Sequence, residues 1–173
     1  GPKRKTDYSL VLVRHGSIWV SVYPVFANKL IENELAGNKL SCLSGHKSFQ
    51  REVKCGESRF DFQLNFLVDS MFLEVKSVSL VENGEGKFPD APTERGVKHL
   101  KGLIELREKG FRTAVIFVSQ RSDARSITTN DKIDPLFGEW LRKAKRASVE
   151  LYGYNCRVTK NTVSIKKEIP INI

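Results

Sequence analysis

The chain has 173 residues, 40% of them hydrophobic, with 29 Lys and Arg against 20 Asp and Glu and a formal net charge of +9. That apolar content can bury one sizeable core, which excludes a disordered chain and predicts a single domain with at most a small appendage. Three cysteines without CxxC spacing, Cys42, Cys55 and Cys156, exclude a disulfide framework and a zinc cage. The lack of any run of about 18 apolar residues predicts no membrane span, and with no secretion leader the expected setting is the cytoplasm.

Residues 3–7 are a charged lead-in to an apolar run at 8–13, and a turn at 14–17 containing Gly16 returns the chain through 18–22. The pattern predicts two short antiparallel strands. A lone hairpin is marginal in water, so it is expected to dock on the main body or to join strands outside this chain. Pro24 then suits the first turn of a helix over 24–36, with Phe26, Leu30, Ile31 and Leu35 as its apolar face and Gly37 as a left-handed stop.

From 51 to 67 apolar and polar residues largely alternate, and residues 68–70 can turn the chain into 71–81, which predicts a second hairpin. Gly84 and Gly86 break the pattern, and Pro89 and Pro92 predict an extended loop over 88–92. Thr93 or Asp90 caps a following helix whose stripe is Val97, Leu100, Leu103, Ile104 and Leu106 and which Gly110 ends. The continuous apolar run 114–118 predicts a central strand covered on both faces. Asp134-Pro135 opens a helix to about 147 with basic last turns, and strands at 149–158 and 162–166 close the chain. The order is roughly βαββαβαββ, a layered α/β fold.

Asp61, Glu74 and Lys76 fall on the two strands of the second hairpin. Side chains alternate along a strand, so Glu74 and Lys76 point the same way, and Asp61 joins them if it falls on that face. Two converging carboxylates can hold magnesium or manganese with coordination positions left for water and a phosphate oxygen, and a lysine beside them can orient the water. Glu32 on the first helix is the candidate third carboxylate, with Glu34 as its rival; both are equally suited to an ordinary solvated helix surface.

The free N–H groups at the start of the second helix, with Arg95, Lys98 and His99, could receive a phosphate; His99 is as readily a satisfied core residue. Lys3, Arg4 and Lys5, together with Arg51, Lys54, Arg121, Arg125 and the cluster from Arg142 to Arg146, are further sources for tracking a phosphate backbone. Trp19, Trp140, Tyr152 and Tyr154 are placed to pack in the core rather than to stack on bases. The net positive charge suits a nucleic-acid partner, and also solubility, an anionic membrane surface or an acidic protein.

Asp61 in its strand, Glu74-Val75-Lys76-Ser77-Val78, and above all the run from Pro89 to Gly96 followed by Val97-Lys98-His99-Leu100, resemble the sugar fermentation stimulation protein A (SfsA) family. The likeness extends to Ala27-Asn28-Lys29-Leu30 and Lys3-Arg4-Lys5, and so covers nearly the whole chain. It implies a PD-(D/E)xK restriction-endonuclease-like α/β core, a mixed sheet flanked by helices, at residues 24–173. Residues 1–23 would then be a remnant of an OB-fold-like β domain whose greater part lies upstream. It also implies DNA as partner without marked sequence preference, and a metal-site pattern on Asp61, Glu74 and Lys76, with Glu at the place of Asn33 as well as or instead of Glu32. An incomplete barrel edge makes a homodimer an expectation too. The rival readings are a non-catalytic DNA-binding regulator and a protein-interaction or carbohydrate-metabolism role.

Overall fold

The computed structural model describes residues 7–173, so Lys3, Arg4 and Lys5 lie outside the described residues. Strands β1 (Leu12–His15) and β2 (Ile18–Ser21) pair antiparallel around Gly16, whose φ of +58° is the left-handed value a tight turn demands. The hairpin docks on the main body: the Ser21 amide donates to the Gln120 carbonyl at 3.0 Å, and Val20 is buried.

Helix α1 (Val25–Ala36) begins after Pro24 as expected and buries Ala27, Leu30, Ile31 and Leu35. Its end differs from the expectation. Gly37 keeps a right-handed φ of −87°, and Asn38, at φ +51°, makes the left-handed turn one residue later. Asn tolerates that region because its short polar side chain bonds locally, and the Asn38 Oδ1 accepts from the Gly45 amide.

The alternating stretch after residue 47 holds three strands rather than two: β3 (Ser48–Cys55), β4 (Ser58–Asn65) and β5 (Ser70–Val78). The two-residue turn Gly56-Glu57 separates the first pair, a signal that the surrounding charged residues conceal. Two short strands then follow, β6 (Val81–Glu82) and β7 (Glu85–Phe88), joined by Asn83 and Gly84, both at positive φ. Asn-Gly is the preferred pair for such a turn, so this hairpin was written in the sequence.

Helix α2 (Glu94–Glu108) is capped by Thr93, whose hydroxyl accepts from the Gly96 amide, and ends at Gly110. Strand β8 (Arg112–Ser119) is buried along nearly its whole length, the short β9 (Ser126–Thr129) follows, and α3 (Pro135–Arg146) starts at Asp134. That one carboxylate serves two helix starts, accepting from the Phe137 amide at 2.9 Å and from the Thr93 amide at 2.8 Å. Strands β10 (Glu150–Val158), β11 (Val163–Ile169) and β12 (Ile171–Asn172) complete the chain.

The main sheet is mixed, in the order β11-β10-β8-β5-β4-β3, with β8 parallel to both neighbours and the remaining pairs antiparallel. A second sheet, β12-β9-β7-β6, was not foreseen, since strands of two to four residues are too short to show a period. Two apolar cores lie on opposite faces of the main sheet. One gathers α1 with Phe62, Leu64, Leu73 and Ile116; the other gathers α2, α3 and the second sheet with Phe60, Phe72, Val115 and Phe117. Phe60 and Phe62 have the same parity on β4 yet serve opposite cores, so the strand turns over at Asp61.

Ile31 is fully buried where α1 meets the sheet. Ile31→Ala is expected to lower the unfolding free energy by about 2–5 kcal/mol, since the cavity cannot collapse against a flat sheet face; urea denaturation followed by circular dichroism measures it.

Candidate metal centre

At Asp61 the main sheet parts. The β4–β5 ladder stops at the pair Phe62 and Leu73, while β5 runs on to Val78 against β8 and β4 runs back to Ser58 against β3. On the other side of β4, Glu52 lies across from Asp61 with a φ of +53°, and that pair is skipped in the β3–β4 ladder. The Val75 amide, which a continuing β4 would have bonded through its backbone, donates instead to Asp61 Oδ2 at 2.8 Å. Asp61 Oδ1 accepts from Asn28 Nδ2 of α1, also at 2.8 Å.

Glu74 and Lys76 share the face of β5 that α2 covers, as the alternation predicts. Glu74 is 3% exposed. Its Oε1 accepts from Lys76 Nζ at 2.7 Å and from His99 Nδ1 of α2, while its Oε2 is buried with no hydrogen-bond partner among the described residues. The second nitrogen of His99, Nε2, accepts from Arg95 Nε at 3.4 Å, and the ring lies against Phe60 with centroids 6.0 Å apart. His99 is thus turned inward, with both nitrogens engaged inside the protein.

The electrostatics follow from this crowding. Burial pushes the Asp61 carboxyl up to about 6, and the Glu74 charge adds to the push, against the Val75 amide, Asn28 and Lys76. For Glu74 burial also acts upward, but the His99 hydrogen bond and the Lys76 charge outweigh it and hold the carboxyl below its usual value.

Most of the remaining expected residues have partners of their own. Glu32 lies one helical turn beyond Asn28 on the same side of α1, and its carboxylate is paired with two cations, Lys29 at 2.9 Å and Arg51 at 3.0 Å. Among the described residues no three His, Cys, Asp or Glu side chains cluster as a metal cage would require. Glu34 lines a shallow surface cavity beside Lys39 and Glu168. Lys98 is exposed and paired with Glu57 at 3.2 Å, and Arg95 is exposed. Arg121 is buried against Asp123 and the Ser79 carbonyl, so it offers nothing to a backbone. Trp19 and Trp140 pack partly into the two cores, Trp140 between the ammonium groups of Lys101 and Lys143, while Tyr154 is buried. Asn28 belongs to the run Ala27-Asn28-Lys29-Leu30 that carries the family likeness, which is the one signal in the sequence for its place here.

The donor set suits a hard divalent cation. Such ions take carboxylate oxygens and keep several waters, so two protein carboxylates suffice. Among the described residues Glu74 Oε2 is a buried carboxylate oxygen with no hydrogen-bond partner, and a hard cation would offset the cost of burying that charge.

The fold and this group define a mixed α/β protein with a carboxylate pair at a parting in its central sheet. A family model described as "Sugar fermentation stimulation protein RE domain" matches residues 25–162. The sugar fermentation stimulation protein homolog of Desulforamulus reducens is 44% identical over 170 residues, covering 98% of this chain and 71% of the relative. That of Clostridium perfringens is 41% identical over 171 residues, covering 98% and 74%. A solved structure of Pyrococcus furiosus SfsA in complex with Ca2+ superposes with a TM-score of 0.91 over all of this chain and 75% of that one, at 26% identity. The chain belongs to the SfsA family.

The raised Asp61 carboxyl sets a pH dependence. Asp61 binds its proton more tightly folded than unfolded, so its contribution to stability is fully present below its unfolded value of 3.8 and is lost as pH rises through about 6. In metal-free protein, Asp61→Asn, whose amide Asn28 can meet by flipping its own, is expected to remove this loss. Relative to wild type it gains on the order of 2–3 kcal/mol between pH 4 and pH 7, as measured by urea unfolding at the two pH values.

Proposed function

We propose that this is a DNA-binding protein whose Asp61, Glu74 and Lys76 form a divalent-metal site for phosphodiester hydrolysis, on a PD-(D/E)xK-like core preceded by the last strands of an OB-like domain. The observation that carries the reading is the buried Oε2 of Glu74, partnerless among the described residues, near a second, half-buried carboxylate and an ammonium. The Pyrococcus furiosus relative, solved with Ca2+, supports a divalent ion in this family. Asp61 and Glu74 would hold magnesium or manganese, which when bound supplies Lewis acidity and lowers the pKa of water.

The chain's own side chains carry the rest. Lys76, 11% exposed at its side chain, sits where an ammonium can neutralise charge gathering on a phosphate. Arg95 and Lys98 at the exposed start of α2, with Lys3, Arg4 and Lys5, would follow the phosphate backbone by charge, which makes binding indifferent to sequence. Asn28, one turn before Glu32 on α1, fixes Asp61. Glu32, half-buried and neutralised by Lys29 and Arg51, is not given to the metal in this reading.

One observation favours a second reading, a DNA-binding regulator that keeps the fold without cutting. Three of the four carboxylate oxygens of Asp61 and Glu74 already accept hydrogen bonds, from Asn28, Val75, Lys76 and His99. Plasmid nicking with magnesium or manganese separates the two. Wild-type protein is expected to nick, and Glu74→Ala to lose about a hundredfold or more of that rate, the scale of losing several kcal/mol of charge stabilisation. Binding should survive the substitution, with log K falling roughly 0.9 per neutralised phosphate as log salt rises. Equal nicking by the variant sinks the enzyme reading, and a flat salt slope removes DNA as partner.

A further inference from the structure

Beyond the acid and lysine pattern, a line of polar side chains runs from Glu74 through His99 to Arg95. His99 Nδ1 is bonded to Glu74 Oε1, His99 Nε2 accepts from Arg95 Nε, and Arg95 and His99 stand four apart on α2, one turn on the same side of the helix. The ring cannot swing. It is 5% exposed, Phe60 packs against it, and α2 is pressed onto β4 so closely that a Cβ at Gly102 would lie 3.0 Å from the Phe60 ring.

We propose that His99 and Arg95 are positioning residues for the metal site, a role that rests on the reading above. Arg95 donates to Nε2 and so leaves the ring hydrogen on Nδ1. That hydrogen engages Glu74 Oε1, with the Lys76 ammonium on the same oxygen, and both donors being spent there leaves Oε2 the one oxygen of Glu74 available to a cation. Without His99 the Glu74 carboxylate is held only by the ammonium on the flexible Lys76 stem, which can follow either oxygen as the group rotates about its terminal bond. The tautomer is dictated by geometry: an Nε2–H ring would present a hydrogen to Arg95 and a lone pair to a carboxylate, repulsive at both ends. Carboxylate ligands of metals are commonly held by such outer partners, whose loss reduces metal affinity about 10–100-fold.

The chain has only three histidines, so long-range proton–nitrogen spectra of 15N-labelled protein can be assigned by comparison with His99→Asn. The expected result is His99 with its hydrogen on Nδ1 and an unprotonated Nε2; a ring with its hydrogen on Nε2, or on both nitrogens, overturns the proposal. Calorimetric titration with Ca2+ gives the functional arm. His99→Leu is expected to weaken Ca2+ binding at least tenfold, and His99→Asn, whose amide can still donate to Glu74, to restore most of it. If His99→Leu does not fold, the exposed Arg95→Met takes its place, with a several-fold weaker affinity and a shift of the ring toward the Nε2–H form expected. Wild-type affinity in His99→Leu, or in Arg95→Met where that variant is needed, overturns the positioning role alone. A wild-type protein that does not bind Ca2+ overturns the metal-site reading and this role together.

Discussion

One buried charge sets the terms for the centre of this protein. Glu74 is an ionised carboxylate at 3% exposure on the inner face of a sheet, with its carboxyl held below the usual range. Removing such a group from water costs far more than a typical domain can spare unless it is paired and hydrogen-bonded. Lys76 and His99 meet that requirement at one oxygen only. Both partners follow from the chain's periodicities: Lys76 is two residues along the same strand, and His99 is on the α2 face packed against it, one turn from Arg95. The imbalance at Oε2 is therefore part of the architecture, because the face of β5 and the helix above it are already committed.

Asp61 depends on the same region for the opposite reason. It occupies the point where β4 ceases to pair with β5, and its carboxylate substitutes for a strand carbonyl by accepting from the Val75 amide. That substitution allows β4 to turn over, so that Phe60 reaches the α2 core while Phe62 and Leu64 reach the α1 core. A regular strand could have fed only one of them. Asp61 thereby stands between two helices, tied to α1 through Asn28 and sensing Glu74, which is tied to α2. Burial at this parting, with the Glu74 charge adding to it, raises its carboxyl to about 6.

Much of this was legible in residue order. The continuous apolar run at 114–118 marked β8 as central, because a strand covered on both faces has no polar side to show, and the cap-then-proline pair at Asp134 marked α3. Glu74 and Lys76 could be assigned one face from parity alone. What escaped had physical causes. The turnover at Asp61 violates the fixed two-residue period on which strand reading rests, and the second sheet is built of pieces shorter than that reading needs. His99 could be read either way because a histidine on an apolar helix face serves the core and a ligand equally well; only its neighbours across space, Glu74 and Arg95, decide. Asn28 carries no charge, so composition-based reasoning passed over it while attending to Glu32 four residues on, whose charge is spent on Lys29 and Arg51.

The contrast between Asn28 and Glu32 bears on how the centre tolerates its own electrostatics. A third carboxylate from α1 would stand beside Asp61, whose carboxyl is already raised by burial and by Glu74; each added negative charge would raise it further and favour the protonated form, which binds cations poorly. An amide in that position does the reverse. It donates to Asp61 Oδ1 without adding charge, lowering the carboxyl against the upward push, and it orients the group from the helix side while Val75 does so from the strand side. With no cation bound, two carboxylates, one ammonium and neutral donors are closer to balance than three carboxylates would be. The imbalance that remains is confined to the one oxygen of Glu74 that has no hydrogen-bond partner among the described residues.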